Sequence, residues 1–272
     1  MSGRDPELSS EHRLELARAH RLLASRNLAT RLSDYAGKPI HSAFAQMPKP
    51  MRRTMDRAIE RAIQECLKLA LTSLKGAPKK RPSTRVASAL AGVAGGFGGL
   101  FGAAGLPVEL PVTTILMLRA IADIARHHGE DLSTLEGRLA CVEVFAHGAD
   151  RGVRDSGRRA DVGYYASRAM LGRLANEASS LLLERGATNL AAPAVAALTS
   201  EVATRFGVVV WERVAASAIP LAGAVGGAAI NVVFMNHFQS IARGHFMLRR
   251  LERIYGEEAI RRHYQELAKQ RL

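Results

Sequence analysis

Four side chains in one stretch have the types that bind metals or move protons. His127 and His128 close one helical pattern, and Glu143 and His147 stand four apart in the next. A spacing of four puts Glu143 and His147 on one helical face. A zinc peptidase needs H-E-x-x-H, or another ligand set that leaves one position open. Glu143, His147 and His127 could form such a set, but a solvated or partly buried polar pair has the same spacing. No metal, cofactor or catalytic residue is therefore assigned. Cys66 and Cys141 lie in separate helical patterns without ligand spacing, which predicts buried thiols in a reducing compartment. G-x-S-x-G is absent. The glycines from Gly92 to Gly105 do not spell a phosphate loop, because Phe101 stands where G-x-G-x-x-G starting at Gly96 requires glycine. The chemistry-bearing residues thus lean away from an enzyme and leave a peptidase-type hydrolase as the weakest reading.

Two charges interrupt apolar sequence, Glu109 and Arg119, and such charges are either paired or functional. Ten residues of helix separate them by about 15 Å, so they cannot meet each other. Arg119 and Asp123 are i,i+4 and can pair. Glu109 follows Pro107 in the first turn of its predicted helix, where a carboxylate meets free N–H groups and the positive end of the dipole. Asn231 lies inside an apolar stretch and must find hydrogen-bond partners.

The elements that position these residues read as helices throughout. Apolar residues at helical spacing run from Glu11 to Ser33 and from Met51 to Leu74. A proline opens the helix that stops at Gly129, and S-T-L-E from Ser133 to Glu136 has capping-box spacing for a helix through His147. Further helices are expected over Tyr164–Glu184, over Asn189–Val214 and through the charged C-terminus. No alternating pattern is long enough for a sheet. The expectation is an all-α multi-helix bundle built around two glycine- and alanine-rich apolar segments. Its parts would be a basic helical extension over 1–85, a helical core over 86–255 and a charged helix over 256–272.

Val86–Val108 and Val214–Asn236 are uncharged over 23 residues each, long enough to span a bilayer but rich in small residues. Each glycine inside a helix costs about 1 kcal/mol against alanine, so a compensating contact is needed. Gly92/Gly96, Gly95/Gly99, Gly98/Gly102 and Gly223/Gly227 are each four apart, which strips side chains from one helix face and lets another backbone approach. A buried helical hairpin and a membrane-entering element both satisfy this pattern.

The formal net charge is +13, and residues 1–85 hold 18 basic against 8 acidic side chains. A basic excess favours nucleic acid or an anionic membrane face as partner. Aromatics make up 5% of the chain and are not interleaved with the basic runs, and no zinc finger or RNA-recognition signature is legible, so nucleic acid is set aside. Lys75, Lys79, Lys80, Arg81 and Arg85 stand directly before the first apolar window, where anionic headgroups would meet them. Near the C-terminus Arg249, Arg250 and Arg253 alternate with Phe246, Met247, Leu248 and Leu251, which suits either a membrane-surface helix or a bundle helix with a solvated face.

The stretch AGVAGGFGGLFGAAGLPVELPVTTILMLRAIADIARHHGEDL resembles the central motif of the EcsC family, and IPLAGAVGGAAINVVFMNHFQSIARGHFMLRRL resembles its second motif. Matching positions are Gly95, Gly99, Glu109, Pro111, Arg119, Asp123, Gly129, Pro220, Asn231 and Arg250; the first 80 residues carry no such signal. The resemblance implies a helical bacterial protein with no settled catalytic role, connected with the cell envelope and with an ABC transporter. The function expected is that of a non-enzymatic accessory protein, cytoplasmic and peripheral on the inner membrane, with an anionic membrane surface and an ABC transporter or other membrane protein as partners. A helical module binding a lipid or apolar ligand is the alternative.

Overall fold

The structure is a computed structural model, and it describes residues 7–24, 28, 32, 49–74, 105–148, 158–185, 192–217 and 223–270. These residues form eight α-helices and no strand: α1 Ser10–Leu23, α2 Lys49–Ser73, α3 Leu106–His127, α4 Leu135–His147, α5 Arg158–Arg185, α6 Pro193–Ser217, α7 Gly223–Tyr255 and α8 Glu257–Lys269. The chain is an all-α bundle. Its centre is α4, whose residues from Gly137 to His147 are all buried. A helix apolar nearly all round has no water-facing side and must be enclosed. Around it pack α2, α3, α5, α6 and α7.

Local chemistry fixes the ends of the helices that matter. Pro107 sits in the first turn of α3, where its missing N–H is no loss, and Glu109 faces the same turn. At the other end Gly129 adopts φ 74°, and the Glu130 N–H donates to the Ala125 carbonyl at 3.0 Å. This is the left-handed glycine stop expected from the sequence. The cap is displaced by one residue, and with Gly137 in the third helical position no capping box forms. Thr134, not Ser133, caps α4, its Oγ1 accepting from the Gly137 N–H at 3.1 Å, while the Ser133 N–H donates to Asp131 Oδ1 at 2.8 Å. Asp131 claims the first position as a turn former, and the cap moves on.

The N-terminal helices belong to the packing. Met55, Ile59, Ile63, Cys66 and Leu67 of α2 are buried against α3, α4 and α6. Helix α1 lies along α7, where a Cβ on Gly244 would stand 2.8 Å from Leu23 Cγ and 3.1 Å from the Ala19 carbonyl oxygen. Gly244 is thus a close-approach glycine that spacing alone did not single out. Cys66 and Cys141 are free and buried, as their apolar settings predict.

The second uncharged window is shared between two helices, because α6 ends at Ser217 and α7 begins at Gly223. Within the described residues the helix long and apolar enough to cross a membrane is α6 instead. Its Val195, Leu198, Val202, Phe206, Val209 and Val210 are buried, and it packs on α2, α4 and α5. Gly92, Gly95, Gly96, Gly98, Gly99 and Gly102 lie outside the described residues, as do Lys75, Lys79, Lys80, Arg81 and Arg85. Gly223 and Gly227 fall in the first turns of α7.

Candidate functional site

Two separate places in the bundle gather polar side chains. The first is interior. Helix α4 carries Glu143 and His147 one turn apart, α7 brings His245 and α5 brings Tyr164. All four are buried, with His245 at 0% exposure. One ligand-type atom from each of Glu143, His147 and His245 lies within 4.8 Å of the others. The His147 ring is 5.0 Å from that of His245 and 5.2 Å from that of Tyr164, centre to centre. Tyr164 Oη and His245 Nδ1 share a hydrogen bond of 2.9 Å, which fixes the ring and leaves Nε2 outside that bond.

Burial raises the Glu143 carboxyl above its ordinary range, against the pull of His147, Arg249 and Arg168. Burial also drives His245 well below its ordinary value, and His147, Arg168 and Arg249 push the same way. A carboxyl and a neutral imidazole can carry protons or ligate a metal through the unprotonated ring nitrogen. Beside them Arg168 is neutralised by Glu252 at 2.6 Å. His127 takes no part. It sits with His128 on the outward side of α3, so the third member of the set is His245, about a hundred residues further along the chain.

The second place is a surface groove of about 630 Å³ between α1, α3 and α7. Arg18, Arg21, Arg243, Arg250, His127 and His128, together with the carboxylates Glu11 and Glu15, supply its polar lining, and Leu14, Ile124 and Met247 its apolar wall. Leu14 is 72% exposed. Glu15 binds Arg250 at 3.0 Å and takes up one of these charges, and Arg243 reaches Gln239, a neutral partner, at 3.4 Å. Burial, followed by His127, Arg250, Arg18 and Arg243, lowers His128 to about 4. Arg18 likewise pushes Arg243 down, second to burial. Positive charge here repels positive charge, which is the condition that attracts an anion.

The remaining polar positions hold the bundle together. Glu109 meets Arg213 of α6 at 2.7 Å, with 8% and 3% of the side chains exposed, and the Thr113 hydroxyl donates to the same carboxylate oxygen at 3.1 Å. Arg213 also lies over the Phe234 ring at 5.0 Å. Arg213 was missed in the sequence, although it interrupts apolar residues as Glu109 does. Asp123 binds Arg126 at 3.1 Å, whereas Arg119 is exposed. Asn231 is fully buried in α7.

The C-terminal arginines are engaged with acidic groups of the bundle, Arg250 and Arg253 remaining partly exposed. Arg249 binds Glu130 at 2.7 Å and Glu136 at 3.0 Å, and Arg253 binds Glu130 at 2.6 Å and the His128 carbonyl at 2.7 Å. Against the upward push of burial, these two arginines hold the Glu130 carboxyl below its ordinary range.

No curated protein and no solved structure matches the chain. A family model does match, over residues 11–251, and it begins well upstream of the motifs that carry the resemblance, taking in α1 and α2. By that match the chain belongs to the EcsC protein family.

Proposed function

We propose that the protein acts non-enzymatically on the inner face of an anionic membrane, as an accessory of the cell envelope or of an ABC transporter. The groove between α1, α3 and α7 carries this reading. Among the described residues Arg250 is the lining cation in an ion pair, with Glu15, so the basic groups outweigh Glu11 and Glu15 there, and the exposed Leu14 stands at its rim. A charged lining beside an apolar wall matches a lipid headgroup and the first carbons of its chain. The basic stretch from Lys75 to Arg85 adds charge for the same partner. The alternative, a module that extracts and carries a lipid, draws on the same groove.

Flotation with liposomes tests the proposal. The full-length protein is expected to float with anionic vesicles at low salt and to stay behind with neutral ones. Each basic residue near such a surface contributes about 1 kcal/mol, so replacing Arg18 and Arg243 together by alanine should weaken binding by about 30-fold. Equal flotation of this variant, or none by the wild type, rejects the groove as the docking face. Stoichiometric lipid copurifying with the protein would favour the carrier alternative.

A further inference from the structure

The interior cluster stands apart from the membrane reading and uses none of its residues. We infer that Glu143, His147 and His245 together bind one divalent transition metal of the zinc class.

The donor set is an imidazole pair and a carboxylate, which suits such an ion. The three side chains come from two helices that meet at the centre of the bundle, with burial of 6%, 2% and 0% exposure. His245 Nε2 is fully enclosed and has no hydrogen-bond partner among the described residues. No hydrogen bond to Glu143 occurs among the described residues either. Burying a carboxyl and an imidazole lone pair without partners is costly, and such groups are normally satisfied. A cation between them would satisfy both at once.

Ligand atoms within 4.8 Å of one another are near the required separation. Bonds of about 2.1 Å at tetrahedral angles set ligand atoms roughly 3.4 Å apart, so side-chain rotations of about an ångström close the site. Tyr164 supports the geometry from behind. With the Nδ1 proton donated to Tyr164 Oη, the Nε2 lone pair is left for the ion, the arrangement in which metal-binding histidines are usually held. Tyr164 is therefore a positioning residue. With both histidines enclosed and Glu143 6% exposed, the bound ion ties α4 to α7.

The test uses the full-length chain, free of any polyhistidine tag, produced in zinc-supplemented medium and dialysed against a weak chelator. Elemental analysis should give one zinc per chain, and cobalt in its place should give the intense visible bands of a four-coordinate ion. Glu143→Gln and His245→Gln should each abolish stoichiometric uptake, and Tyr164→Phe should weaken affinity by about 10-fold or more. Wild-type protein with no stoichiometric metal overturns the inference, and so does unchanged uptake by the Gln variants. If those variants fail to fold, long-range ¹H–¹⁵N spectra of the wild-type histidine rings decide the matter. Zinc must shift the ring nitrogens of two buried histidines, and ring signals unmoved by zinc reject the site.

Discussion

The buried pair Glu109–Arg213 offers the sharpest test of how this bundle is held together. Glu109→Gln removes the charge opposite a guanidinium that is 3% exposed, where the two groups had met at 2.7 Å. Stripping the partner from a buried charge costs about 3–5 kcal/mol. Here the Phe234 ring, 5.0 Å from the guanidinium, still offers its face. That contact offsets about 1 kcal/mol, so a loss near 3 kcal/mol is expected. Arg213→Met should cost less. Glu109 keeps the Thr113 hydroxyl at 3.1 Å and the N-terminal turn of α3, whose dipole contributes about 0.3–1 kcal/mol. A loss of about 2 kcal/mol follows, since burying a carboxylate without its cation remains unfavourable.

The double variant should lie within about 1 kcal/mol of wild type, because a neutral amide and a methionine packed on Phe234 leave no buried charge. The coupling would then be about 4 kcal/mol or more, within the range found for close charge pairs. Equilibrium urea unfolding of the four proteins measures it, with the m-value unchanged if only stability moves. A Glu109→Gln loss below about 1 kcal/mol, or single losses that add to the double, would refute the account.

Two more expectations follow from packing and charge. Gly244→Ala should destabilise by about 1–2 kcal/mol, since its Cβ would press on Leu23 and the Ala19 carbonyl, while Gly172→Ala, with nothing within 4 Å, should gain up to about 1 kcal/mol in denaturant midpoints. Equal signs for the two glycines would contradict the α1–α7 contact. His128 is held at about 4 in the folded chain, below its ordinary 6.5. Its contribution is therefore complete above pH 6.5 and is lost as pH falls from 6.5 toward 4, where the unfolded chain binds the proton first. Urea midpoints against pH should fall less steeply for His128→Asn than for wild type over that window, and parallel curves would reject the assignment. Part of the slope left in the variant would come from His245, which is lowered for the same first reason, burial.

Much of the architecture was legible in residue order alone, because helix signals are local. Apolar spacing located α2, the proline and Gly129 bounded α3, and the lack of alternation excluded a sheet. The i,i+4 placement of Glu143 and His147 was equally local, and so was the first-turn position of Glu109. The shared second window was less legible, since a count of uncharged residues does not register where one helix gives way to the next.

What only the tertiary structure decided is which distant residues meet. His127 stood close in sequence and was the natural third member beside Glu143 and His147, yet α3 turns it outward to the basic groove. His245 and Tyr164 take the interior places, from helices far along the chain. Arg213 answers Glu109 across more than a hundred residues, and Glu130, Glu136 and Glu15 take up the C-terminal arginines. The physical reason is one of range. Periodicity and capping are set within a turn or two of the backbone, so a linear sequence carries them. The partner of a buried charge is set by which helix faces share a core, and that depends on the packing of the bundle as a whole.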